Sequence, residues 1–170
     1  HFDAITIMPR PLSPGGPQMM MAVMNPEGIY HCTKRGFHIQ TTPLAGNHQL
    51  LLDQVNSFKR AKNEMGEVGR DQTLTLSRVA FTTKNEADRQ QKIKVANSYY
   101  SRFDNIRYGP GVVDNGMIRE LPREQTLDEL AENVLIGSPQ EMTDRLGPYA
   151  DLGIDRVILN INFGCDAQET

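Results

Sequence analysis

Apolar residues along this chain occur in short runs separated by stretches of helical period. Residues 19–24 form an unbroken apolar run of strand length, the pattern expected of a parallel strand covered on both faces. Asn25, Pro26 and Glu27 follow at once. An N-cap, a proline at the first helical position and an early acid predict a helix to Arg35, with Gly36 just past its end. Residues 37–42 form the next short strand. Asn47 opens a longer helix whose Leu51, Val55, Phe58, Ala61 and Met65 share one stripe, while Lys59, Arg60 and Lys62 point elsewhere. Gly66 and Gly69 end it. Residues 74–82 alternate and then turn apolar, a third strand, and Asn85 caps a helix carrying Ile93, Val95, Ala96, Tyr99 and Tyr100. Thr126 with Glu129, and Ser138 with Glu141, each have the spacing of a capping box. The second helix has an apolar stripe of Met142, Leu146, Tyr149 and Ala150 and closes at Gly153; residues 156–161 are the last strand.

Two segments interrupt this alternation. Residues 2–8 have the β-branched character of a short strand, and residues 9–17 hold four of the ten prolines, so residues 1–18 are expected to be an entry strand and an extended linker. Residues 104–125 mix glycine, proline, asparagine and scattered charge without a period. A loop of that length is uncommon in a compact domain and is expected to be a lid or binding loop. The remainder predicts a single α/β domain over residues 1–170, with parallel strands joined by right-handed helical crossovers. The chain opens on His1 and stops soon after an apolar strand, so both ends are expected to be cuts in a longer sequence.

Composition acts mainly by exclusion. A hydrophobic content of 38% and a charged content of 23% suit a folded domain. A net charge of -3 argues against a nucleic-acid binder, and no apolar run is long enough to predict a membrane span. Cys32 and Cys165 lie far apart outside any metal spacing, as expected of free thiols in a reducing cytoplasm. His1, His31, His38 and His48 show no ligand spacing either, so no metal site is expected. His31 is expected on a helix surface, and His38 satisfied within its strand. The glycine-rich dinucleotide fingerprint, the P-loop and the nucleophile elbow are all missing from the sequence.

What remains is the set of strand ends, where ligands gather in parallel α/β folds. Asn25 to Gly28 place helix N–H groups after the first run, suited to a phosphate, and Gly28 would let a ligand approach the backbone. Gln40, Thr41, Thr42 and Pro43 end the second strand; Thr82 to Asn85 end the third; Asn160 to Gly164 end the last. Each alone is equally an ordinary cap or turn. Together they converge on one mouth if the strands are parallel. No carboxylate pair stands out as an acid and base.

These motifs, in this order, resemble the second half of the bacterial-luciferase-like flavin-dependent monooxygenases. The proline-rich linker from Pro9 to Pro17, the Asn25-Pro26-Glu27 helix start closed by Gly36, and Val79 to Ala87 (an apolar strand, then Thr-Lys-Asn-Glu-Ala) are similar to the family's fifth and seventh strand regions. The block from Glu132 to Glu141, with Tyr149 to Asp155 after it, resembles the last helix and eighth strand. The resemblance implies a (β/α)8 TIM barrel of which about the last four β/α units are present, since a full barrel takes roughly 250 residues. It implies reduced FMN, usually supplied by a separate flavin reductase, with molecular oxygen and a small organic substrate, in a cytoplasmic homodimer. Met24, Asn25 and Gly28 would hold the flavin phosphate; Gln40, Thr41 and Thr42 would lie near the ring; residues 104–125 would be the mobile lid that keeps water from the flavin. The Asn25 to Gly28 segment departs from the family in lacking a run of hydroxyl side chains. The catalytic residues are expected in the first four strands, so none is assigned here. Alternatives are an F420-dependent oxidoreductase of the same fold, a non-catalytic luciferase-like subunit, and an unrelated open α/β sheet.

Overall fold

The computed structural model describes the chain apart from residues 1–4, 6, 7, 14, 167 and 170. The strand expected over residues 2–8 therefore lies for the most part outside the described residues. From there the order is β1 (Met20–Ala22), α1 (Pro26–Lys34), β2 (His38–Thr41), α2 (His48–Met65), a 3-10 turn (Gly66–Gly69), β3 (Leu74–Thr82) and α3 (Glu86–Arg107). A small hairpin follows, β4 (Val113–Asp114) and β5 (Met117–Ile118), and then α4 (Leu127–Asn133), β6 (Leu135–Gly137), α5 (Pro139–Asp151) and β7 (Arg156–Asn160).

β1, β2, β3 and β7 lie side by side in that order, all parallel, with β6 pairing to the carboxyl half of β3. The register puts Met20 opposite His38, Ile39 opposite Leu74, Thr75 opposite Arg156 and Ala80 opposite Leu135. The fold is that of about half a (β/α)8 barrel.

Helix starts follow the sequence closely because each cap satisfies otherwise orphaned amides. Asn25 accepts from the amides of Glu27 and Gly28, Asn47 from Leu50 and Asn85 from Asp88. Thr126 with Glu129 and Ser138 with Glu141 both form complete capping boxes. Gly36, just past α1, has φ 87°, a left-handed turn that glycine adopts without strain.

Two apolar clusters hold the layers together. Ile29, Leu51, Val55 and Phe58 pack α1 and α2 onto Ile39, Leu74 and Leu76. Val79, Ile93, Ala96, Tyr100, Leu130, Val134, Ile136 and Phe163 join α3 and α4 to the far end of β3 and β6. Four sequence expectations change. The stripe on α5 is only half-buried at Met142, Leu146 and Tyr149, and Ala150 is exposed. Met65 is likewise only partly buried. β6 is a strand that the sequence pattern did not announce. Residues 104–125 are not one irregular loop: residues 104–107 finish α3, and Val113 to Ile118 pair as a hairpin.

Candidate active site

The parallel sheet carries the ends of β1, β2, β3 and β7 toward one side. Gln40 and Ser77 share a face of the sheet, joined by a 3.1 Å hydrogen bond from the Gln40 amide to the Ser77 hydroxyl. Thr41, one residue on, alternates to the helix-facing side with Ile39 and Leu76. It is 2% exposed, and its hydroxyl has no hydrogen-bond partner.

A cavity of about 230 Å³ is lined by Met24, Thr42, Leu44, Ser77, Arg78, Val79 and Asn160, with Tyr99, Tyr100 and Phe103 from α3; Gln40 does not line it. The strand ends thus bring together Met24, Thr42 and Asn160, three positions from three different strand ends. Thr83 and Asn85 are used otherwise: the Thr83 amide donates to the Gly137 carbonyl, and Asn85 caps α3.

A side chain from α2 fixes the spacing of two of these ends. Gln54 is fully buried and donates to the carbonyls of Met24 (2.8 Å) and Thr42 (3.1 Å). The next residues form a tight turn in which the Thr42 hydroxyl accepts from the Leu44 amide at 2.9 Å. Leu44 itself has φ 56°, a conformation that costs a branched residue of order 1 kcal/mol. Its carbonyl in turn accepts from Arg78 at 3.3 Å. Arg78 is 6% exposed, and its Nε has no partner.

Asn25 and Gly28 lie at the start of α1 and do not line this cavity. The amides of Glu27 and Gly28 are already taken by the Asn25 side-chain oxygen Oδ1, at 2.9 and 3.2 Å. A Cβ at Gly28 would sit 2.9 Å from Val23 Cγ1, so the missing side chain there accommodates Val23.

Burial raises the Tyr100 phenol to about 12, so it stays protonated throughout the neutral range. His38 is satisfied, accepting the Thr73 amide on Nδ1 at 3.1 Å with the Thr73 hydroxyl 2.9 Å away. That assigns its remaining proton to Nε2. His31 is exposed and pairs with Glu27 at 3.1 Å. Cys32 and Cys165 are free thiols. No group of three or more potential metal-ligating side chains occurs among the described residues.

The expected lid is anchored on α3. Buried Asn105 donates to the carbonyls of Val112 (2.9 Å) and Arg119 (2.8 Å) and accepts the Val112 amide at 3.1 Å. Ser101 donates to the Leu121 carbonyl. Gln125 reaches across to the Ala45 carbonyl at 2.7 Å, beside a cleft of about 680 Å³ that residues 43–47 line together with Asp104, Tyr108 and residues 123–125. That cleft also borders Asp104, Glu124, Glu129 and Glu132 along with Arg123, an excess of acids over bases.

Comparison with known proteins finds likenesses in sequence and in fold. The oxygenase component of the flavin-dependent trigonelline monooxygenase of Acinetobacter baylyi is 25% identical over 171 aligned residues, which cover 96% of this chain and 47% of that protein. The chain is similar to that flavin-dependent oxygenase component along nearly its whole length. It spans about half the length of the curated relative it matches. No family model matches the chain.

Two solved structures share this chain's fold. One is an F420-dependent secondary alcohol dehydrogenase in complex with an F420-acetone adduct, with a TM-score of 0.62 and 17% identity over 86% of this chain and 45% of that one. The other is the oxygenating constituent of 3,6-diketocamphane monooxygenase from the CAM plasmid of Pseudomonas putida, in complex with FMN. It has a TM-score of 0.58 and 15% identity over 86% of this chain and 42% of that one. Both are barrel enzymes, and the likeness supports the half-barrel architecture.

Gln54, Arg78 and Asn105 were not among the candidates raised by the sequence. Arg78 left a signal: it follows Leu74 and Leu76 at spacings of two, placing a cation on the strand's buried side. Gln54 and Asn105 left none beyond a polar residue within a helix.

Proposed function

We propose that this chain supplies part of the active-site mouth of the oxygenase component of a two-component monooxygenase. Reduced FMN from a separate flavin reductase, molecular oxygen and a small organic substrate would meet at the strand ends. The observation that carries this reading is the relationship to an oxygenase component over nearly the whole chain. The strand-end cavity, mainly apolar with Thr42, Ser77 and Asn160 among its lining, supports it.

Met24, Gln40 and Thr42 are the residues here suited to border the flavin ring, because Gln54 holds two of them at fixed spacing and pre-organised polar groups lose little freedom on binding. Thr41 belongs to the same strand end and backs it from the helix side. Asn25 and Gly28 fit the phosphate only by exchange: Asn25 would have to release the two amides it caps, and phosphate would accept them instead. When bound, the flavin supplies the electrons that activate oxygen. The chain's own contribution is to position, to hold Tyr100 as a protonated donor, and to exclude water beneath the lid hairpin. No described helix is long and apolar enough to cross a membrane, and a cytoplasmic homodimer completes the proposal.

The test uses the full-length protein. FMN binding is followed by quenching of flavin fluorescence, and oxygen uptake is measured with reduced FMN supplied by a reductase; F420 is run in parallel. Tight FMN binding with substrate-dependent oxygen uptake is the expected result. Binding of F420 without oxygen uptake would move the protein to hydride transfer, and binding of neither would end both readings.

A further inference from the structure

Arg78 is a buried cation without a counter-charge. It is 6% exposed, yet no carboxylate among the described residues pairs with it. Among the described residues its side chain makes one hydrogen bond, a long one of 3.3 Å to the Leu44 carbonyl, and its Nε has no partner there. A guanidinium is always charged in a protein, and burying it unpaired is costly. Such an arrangement persists where an anion from outside completes it. The side chain also lines the strand-end cavity, as do Tyr99, Tyr100 and Phe103. At about 230 Å³ this space falls below the roughly 300–1,000 Å³ of pockets for drug-sized ligands. It is therefore of a size for one small ring.

We propose that Arg78 and the aromatic wall of Tyr99, Tyr100 and Phe103 form a subsite for the carboxylate of a small single-ring organic acid. Arg78 binds the carboxylate through its planar donor fork, and the three rings pack against the acid's ring. Thr42, Ser77 and Asn160 supply neutral polar contacts around it. The protonated Tyr100 phenol adds a donor and no competing charge. The identification of this acid as the substrate rests on the monooxygenase reading; the subsite itself does not.

Benzoate and its neutral counterpart benzamide are the probes, titrated calorimetrically into the full-length protein and into Arg78→Gln, Arg78→Lys and Arg78→Met. Benzoate is expected to bind at least about tenfold tighter than benzamide, as a hydrogen bond to a charged group warrants. Arg78→Gln and Arg78→Met should abolish that preference, and Arg78→Lys should keep part of it. Arg78→Met should also leave the melting temperature unchanged or raised, since an unpaired buried charge has been replaced by an apolar side chain.

Equal affinity for benzoate and benzamide in the unaltered protein would overturn the proposal without any variant. So would a fall in melting temperature in Arg78→Met with the benzoate preference intact, because Arg78 would then be structural. The other source of an anion is the flavin's own phosphate, and FMN against riboflavin tests it. If Arg78→Gln erases the preference for FMN over riboflavin while leaving benzoate unaffected, Arg78 serves the flavin and the proposal fails. FMN binding measured alongside keeps the two readings separate: benzoate selectivity without FMN binding would retain the subsite and remove the monooxygenase.

Discussion

Gln54 donates to two carbonyls on adjacent strand ends, so replacing it by leucine would leave both acceptors buried without partners. Gln54→Leu is expected to destabilise the protein by about 2 kcal/mol, read from urea denaturation, and to weaken flavin binding through the same two strands. Gly28 carries an opposite pair of effects. Alanine is favoured over glycine in a helix by up to about 1 kcal/mol, but its Cβ would meet Val23 at 2.9 Å, and overpacking costs about 1–3 kcal/mol. The clash is expected to win, so Gly28→Ala lowers stability, and the Val23→Ala/Gly28→Ala pair should recover much of the loss. Tyr100 gives the alkaline limit. Its folded pKa of about 12 lies above the ordinary 10.0, so its contribution is fully present below pH 10 and lost as pH rises toward 12. About 2–3 kcal/mol is involved. Tyr100→Phe should show a smaller fall in denaturation free energy between pH 9 and 12 than the unaltered protein. At this scale the sequence revealed caps and stripes but hid the residues that serve the cavity. A glutamine on an apolar helix face looks like noise until its two acceptors are seen.

The helix starts were legible because capping is local chemistry, complete within four residues. Both capping-box acids, Glu129 and Glu141, are held below the usual carboxylate range, chiefly by the backbone amides of Thr126 and Ser138. A lowered carboxyl stabilises the fold above its unfolded value of 4.5 and loses that contribution as the pH falls through the folded value. Acidification below about 4.5 should therefore release the first turns of α4 and α5 early, seen as faster amide exchange, and Glu141→Gln should remove the pH dependence at α5. Elements of two or three residues were not legible, since they are too short to show a period. β6 is such a case, squeezed between two caps. The hairpin is another, although Asn115 and Gly116, both at positive φ, form the two-residue turn that favours a hairpin. The lid began too early in the sequence reading, although Phe103 and Ile106 continue the apolar spacing of α3; the last turn of α3 is held by Asn105, a polar residue bonded to Val112 and Arg119 beyond it. Asn105→Ala is expected to free the hairpin, raising exchange at Val112 and Arg119 while leaving α1 and α2 unchanged.

Across the whole molecule the strand–helix alternation was enough to give a parallel α/β fold, whereas strand order required long-range pairing that no local pattern encodes. Both outer strands present apolar residues: Met20 and Met21 on β1, Ile158 and Leu159 on β7, each between 37% and 44% exposed. Unpaired apolar edges recruit other chains. The 170 residues expressed alone should sediment as mixed oligomers, and Met20→Lys with Ile158→Lys should raise the monomer fraction. β3 stands at the centre of this sheet, pairing with β2, β6 and β7. Its last partner comes late: the Asp155 carboxylate that accepts the Leu74 amide lies 81 residues further along the chain. At roughly 5–20 residues per second a ribosome needs about four to sixteen seconds to add that stretch. For all of that time the row from Thr75 to Val79 faces the cell with one side unzipped, which makes the pace of translation a determinant of how much of this protein reaches its sheet.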